Sequence, residues 1–171
     1  WMTVFQDKLY FNANDGISGN ELWSYDGAIA SLAQDIRPLA SHGDPSELTV
    51  FSNKLYFKAN NGTDGYELWS YDGTNPAAMV QDIRPGANSS SPSQLTVFEN
   101  RLYFLASDGT NGFELWVYDV TIATGFDINP TGSSIDDFME INGQLVSTSM
   151  GLFFKATDGI TGFELWRIAP A

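Results

Sequence analysis

Apolar residues in this chain come in short bursts separated by clusters of Gly, Asn, Asp, Pro and Ser. The stretch 48–83 shows the order: "LTVF" (48–51), "KLYFKA" (54–59), the polar turn "NNGTDG" (60–65), "YELWSYD" (66–72) and, after a loop, "AMVQDI" (78–83). Val, Leu, Phe, Tyr and Trp dominate the bursts, so each predicts a strand, and each polar cluster a turn. No run keeps a 3.6-residue period over ten or more residues, and the chain reads as all-β. Leu-Tyr-Phe and Leu-Trp-Ser-Tyr put bulky side chains on both faces of a strand, whereas a sheet with one wet face alternates apolar with polar. Both faces are therefore expected to be covered.

The same order recurs. "SGNELWSYDG" lies at 18–27, "DGYELWSYDG" at 64–73, "NGFELWVYDV" at 111–120 and "TGFELWRIAP" at 161–170. Their tryptophans, Trp23, Trp69, Trp116 and Trp166, are spaced by 46, 47 and 50 residues. A period of that size fits a four-stranded propeller blade. Blades packed face to face around an axis cover both faces of every sheet and leave only short edges. The expected fold is a four-bladed β-propeller, one domain over 1–171, with blades at about 2–37, 47–84, 94–129 and 137–168. Each blade would run "TVF", "LYF", "ELW" and "QDI" from inner to outer strand. The fourth is irregular: "FMEINGQLVSTSMGLFFKATDG" (138–159) inserts a segment with an Asn142-Gly143 hairpin signal, and no "QDI" follows "ELWRIAPA". A fragment of a larger ring or array is the alternative.

"ELWSYDGT" at 67–74, "QDIRPGANSSSPSQLTVFEN" at 81–100 and "RLYFLASDGTNGFELW" at 101–116 resemble the bacterial ELWxxDGT repeat, found in long acidic, secreted or cell-surface proteins. The resemblance covers nearly the whole chain. It implies propeller-like repeats and an exported protein, and it brings no general activity or catalytic residue. Copies 3 and 4 depart from it at "YDVT" and "RIAP". A looser similarity is to hemopexin-like domains, four-bladed propellers whose Tyr-Phe-Phe and Tyr-Trp strands match "KLYFKA" and "YELWSYD" in order and spacing. That family often holds ions in its axial tunnel, and the similarity implies four blades.

With 43% hydrophobic and 14% aromatic residues among 171, the chain can bury a substantial core. Eight Lys and Arg against 21 Asp and Glu give a formal charge of −13, which repels phosphate backbones and anionic lipid. No nucleic-acid partner is expected. The absence of cysteine excludes disulfides, thiolate metal sites and a Cys nucleophile. The apolar bursts fall far short of the roughly 20 residues that cross a bilayer, so membrane insertion is not expected. Trp1 and Met2 already lie in a strand-like pattern, so the natural precursor is expected to extend upstream, with any export signal there.

Three sets of recurrent residues are candidates for chemistry. Asp15, Asp108 and Asp158 precede the first glycine of DG-x-x-G and are followed six residues on by Glu21, Glu114 and Glu164, an oxygen-rich spacing that suggests calcium. The second copy has Asn61 there, with Glu67 kept, and the longer EF-hand spacing is missing. The competing reading is a tight turn capped by Asp or Asn, with Gly supplying positive φ. Asp35, Asp82 and Asp127 recur in "QDIRP", "QDIRP" and "FDINP"; they either accept backbone N–H bonds in the crossover to the next blade or focus a cation near an axis. The ELW tryptophans either stack on sugars and partners or pack blade against blade, and their fixed mid-strand place favours packing.

Recognition is better sought where the copies differ, in the hairpin between "LYF" and "ELW": Ser18 and Asn20, Asp64 and Tyr66, Asn111 and Phe113, Thr161 and Phe163. Tolerant turn positions are the alternative there. A repeated residue makes a poor catalyst, because identical environments cannot give an acid and a base different pKa values. The lone histidine, His42 in "LASHGDPS", has no nucleophile-elbow signal beside it. Asp136, Asp137 and Glu140 in "SIDDFME" offer two-carboxylate glycoside chemistry, usually housed in larger rings. The reading is a non-enzymatic binding or assembly module, secreted or on the cell surface, presenting propeller rims to a protein or polysaccharide, with self-association open. A calcium-rigidified unit of a surface layer or filament, a lectin-like module and a glycoside hydrolase are the alternatives.

Overall fold

The computed structural model describes residues 1–135 and 145–171. The Asn142-Gly143 hairpin signal and the acids Asp136, Asp137 and Glu140 lie outside the described residues. Among those described, every regular element is a strand. The first copy forms β1 (Met2–Phe5), β2 (Lys8–Asn14), β3 (Asn20–Tyr25) and β4 (Ala30–Gln34). The second forms β5 (Ser46–Phe51), β6 (Lys54–Asn60), β7 (Tyr66–Tyr71) and β8 (Ala78–Gln81). The third forms β9 (Ser93–Phe98), β10 (Arg101–Ser107), β11 (Phe113–Tyr118) and β12 (Ala123–Phe126). The fourth contains β13 (Val146–Thr148), β14 (Gly151–Thr157) and β15 (Phe163–Ile168). Each copy is its own antiparallel meander, three of four strands and the last of three. The acids of "QDI" and "FDI" fall just past the fourth strands of the first three copies, which end at Gln34, Gln81 and Phe126.

Local chemistry sets these meanders. In the first three copies the inner hairpin turns through two residues of positive φ, Gln6-Asp7, Ser52-Asn53 and Glu99-Asn100, at 45° to 60°. That primed turn matches the right-handed twist of its flanking strands. Glu47 (φ 59°) and Gln94 (φ 57°) also take the left-handed region, where the pairings β5–β6 and β9–β10 lose register, so both inner strands bend at a bulge.

The chain divides into two compact units, Trp1–Ser91 and Pro92–Ala171. In the first, Phe5, Tyr10, Leu22, Leu55, Phe57 and Trp69 belong to one cluster; in the second, Phe98, Tyr103, Leu105, Leu115, Leu152 and Phe154 do the same. Successive residues Leu55-Tyr56-Phe57 and Leu102-Tyr103-Phe104 are all buried, so the sheets of copies two and three bury both faces, as their unbroken apolar runs predict. On β2, by contrast, only Tyr10 is buried. On β15, Leu165 is 75% exposed.

Candidate functional site

The hairpin that carries most of the predicted contact residues is built the same way in each copy. Its first residue caps a glycine two positions on: Asn14 Oδ1 accepts from Gly16 N–H (2.7 Å), Asn60 Oδ1 from Gly62 (2.6 Å), Ser107 Oγ from Gly109 (3.1 Å) and Thr157 Oγ1 from Gly159 (3.1 Å). Its second residue caps the next two amides. Asp15 Oδ1 accepts from Ile17 and Ser18, Asn61 from Thr63 and Asp64, Asp108 from Thr110 and Asn111, and Asp158 from Ile160 and Thr161. These amide bonds hold the carboxyls of Asp15 and Asp158 below the usual carboxylate range. Calcium wants six to eight oxygens. In copies one, three and four the capping residue is a carboxylate with one oxygen already bonded to amides, in copy two it is Asn61, and among the described residues no three or more His, Asp or Glu side chains are placed to hold a metal ion.

Asp82 accepts one crossover amide, from Gly86 at 3.3 Å, as one of the two readings of the "QDI" acids expected, but the main acceptor in each of the first three copies is the glutamate of ELW. Glu21, Glu67 and Glu114 are buried within the apolar third strand, each paired across the ladder with an alanine, Ala13, Ala59 or Ala106. One carboxylate oxygen accepts the amide at the start of the crossover: Ile36 (2.8 Å), Ile83 (3.1 Å) or Ile128 (3.3 Å). The other accepts an amide at its far end: Gly43 (2.8 Å), Ser90 (2.8 Å) or Ser134 (2.9 Å). Ser90 and Ser134 add their hydroxyls. Desolvation raises all three carboxyls above the ordinary glutamate range, against the lowering effect of these bonds; the neighbouring Asp35, Asp82 or Asp127 raises them further. A buried carboxylate thus clasps an irregular loop whose amides have no ladder partner. Repetition of a charged residue directly before Leu-Trp in every copy was the signal for this role.

The clasp has a second point. The amide opening the third strand donates to His42 Nδ1 from Asn20, to Ser89 Oγ from Tyr66 and to Ser133 Oγ from Phe113, all at 2.9 Å. His42 therefore stands where the other copies use serine, with Nδ1 as the acceptor.

The predicted contact residues are tied into these loops. Asn20 donates to Asp44 (2.8 Å), which also accepts the Tyr66 hydroxyl (3.0 Å). Asp64 accepts from the Asn61 amide (2.7 Å). The Lys58 ammonium lies 5.8 Å from the Tyr66 ring centre and that of Lys155 lies 4.9 Å from Phe163. Phe113 packs against the core of the second unit.

The tryptophans diverge in one respect that the sequence pattern hides. Across the third and fourth strands Trp23 faces Leu32 and Trp69 faces Met79, but Trp116 faces Gly125. A Cβ at Gly125 would meet Trp116 Cε2 and Cζ2 at 2.9 and 3.0 Å, so the ring occupies the space a side chain would take. Beside it a cleft of about 190 Å3 opens, lined by Trp116 and Glu114 from the sheet, by Asp127 just past β12 and by Asp108 and Asn111 from the hairpin. Asn111 reaches Asp127 Oδ2 at 3.4 Å, and Trp116 Nε1–H donates to Ala106 O at 3.1 Å. Asn111 and Asp108, predicted for separate roles, meet here.

No protein-family model matches the chain, and no curated protein matches it.

Proposed function

We propose that this chain is a non-enzymatic binding and assembly module of an exported or cell-surface protein, its sheets being the blades of a propeller of the ELWxxDGT kind. The observation that carries this reading is the clasp: the acids repeated in the first three copies hold each crossover loop against its own third strand, and the differences between copies gather at the hairpins and at the Trp116 cleft. A rigid scaffold with variable loops is how recognition surfaces are commonly built. The partner is a protein or a polysaccharide.

Solution scattering of the chain together with protein and glycan arrays tests the proposal. The expected result is a disc-like particle that retains at least one array partner and turns over no ester or glycoside. Turnover of a glycoside that is lost in Asp136→Asn or Asp137→Asn would overturn it, and so would a linear stack of sheets. Calcium separates the surface-layer alternative: the capped loops predict a melting temperature indifferent to chelator, whereas a resident ion would raise it by binding only the folded state.

A further inference from the structure

We propose that the cleft beside Trp116 binds one pyranose unit of a neutral glycan, an inference that rests on the binding-module reading and gives it a site and a ligand class. Three features point there. The first is the aromatic wall. Leu32 and Met79 place a side chain opposite the tryptophan in copies one and two, and Gly125 withholds it in copy three. Trp116 is half-buried, and its ring seats on the strand backbone at Gly125 and borders the cleft. The negative face of an indole attracts the weakly positive C–H face of a sugar ring.

The second is the polar complement. Asp108, Glu114 and Asp127 line the cleft with the amide of Asn111, and no Lys or Arg does. The clasp occupies both Glu114 oxygens, so Asp108 and Asp127 are left to accept hydrogen bonds, which suits a ligand presenting hydroxyl donors and disfavours uronate, sulfate or phosphate. Asp108 engages its Oδ1 in the turn, and among the described residues its Oδ2 has no hydrogen bond. The third is size. At about 190 Å3 the cleft is below the roughly 300 Å3 at which drug-sized pockets begin, and it suits a single ring. Its floor is stiff, because the clasp fixes Glu114 and the indole N–H is held by Ala106.

The test uses the whole chain, 15N-labelled, with the indole resonance of Trp116 identified by Trp116→Phe. Methyl glycosides of glucose, galactose, mannose and N-acetylglucosamine, with glucuronate as the anionic control, are titrated to about 10 mM, enough to saturate a millimolar site. At least one neutral glycoside should move the Trp116 resonance while glucuronate does not. Gly125→Met, which restores the residue type found opposite Trp69, should weaken binding at least tenfold, as should Asp127→Ala. The dispersed resonances of the other indoles report that each variant is folded. A silent Trp116 resonance across the panel would overturn the sugar site while leaving the module reading to its array partner. Binding that survives both substitutions would place the sugar elsewhere and overturn this cleft. Tighter binding of glucuronate than of any neutral glycoside would overturn the ligand class.

Discussion

Val120 shows how much one backbone angle can matter. The loop after each of the first three ELW strands is capped by an aspartate, Asp26, Asp72 or Asp119, accepting two amides, and the next residue turns through positive φ. Copies one and two use Gly27 (φ 96°) and Gly73 (φ 92°), whereas copy three has Val120 at 73°. A β-branched residue in that region is strained. Val120→Gly should therefore stabilise the protein by about 1 kcal/mol, read as a higher melting temperature, and Gly27→Val should lower it by a similar amount. The glutamates make the complementary contrast. Glu67→Ala leaves two buried amides without their acceptor and should cost about 3 kcal/mol or more in chemical denaturation. Glu164→Ala, at an exposed position, should stay within about 0.5 kcal/mol. An identical sequence motif thus has unequal consequences, because Glu67 is buried and bonded to crossover amides whereas Glu164 is exposed.

Strands are where the sequence spoke most plainly. Alternating apolar bursts and turn clusters placed "KLYFKA" and "YELWSYD" almost where β6 and β7 run, since glycines of positive φ and side-chain caps leave those hairpins little choice. The crossovers were less legible. Their amides are satisfied by a side chain 14 to 23 residues away, and no local pattern announces which acid reaches them. Proximity in the motif pointed to Asp35, Asp82 and Asp127, of which Asp82 accepts the Gly86 amide; Glu21, Glu67 and Glu114 each accept amides at both ends of a crossover. The Trp116 cleft was hidden for a related reason, as it depends on a cross-strand pairing with Gly125 that only the register reveals. One element-level outcome follows from the pairing. Among the described residues β15 borders only β14 in its sheet, whereas β3, β7 and β11 each lie between two strands. Hydrogen exchange should find alternate amides of β15 unprotected within the time that β7 and β11 remain protected; uniform protection would mean that β15 has a second neighbour.

Across the whole molecule, two opposed sets of carboxyls shape the response to pH. Burial raises Glu21, Glu67 and Glu114, so the folded state holds their protons more readily than the unfolded chain does. Their contribution is full below the unfolded glutamate value of about 4.3 and is lost as pH climbs through the raised values. The turn caps act oppositely. Hydrogen bonds from the Asn75 side chain and from the amides of Asn75 and Thr74 bring Asp72 to about 2, and Asp15, Asp26, Asp119 and Asp158 are lowered by similar bonds. Their contribution is present above about pH 3.9 and disappears as the solution becomes more acidic. Relief of repulsion in a chain of net charge −13 adds to the first set. The melting temperature should therefore peak at mildly acidic pH, higher near 5 than near 7.5 and lower again by 2.5, and Glu67→Gln should flatten the rise. A steady increase from pH 5 to 8 would contradict the burial argument. Gly125 carries a different lesson. In a protein made of near-copies, a new specificity can come from subtraction: trimming Leu32 or Met79 to glycine would hollow out a sister recess, so divergence among such repeats can proceed by shrinking one residue while the framework stays as inherited.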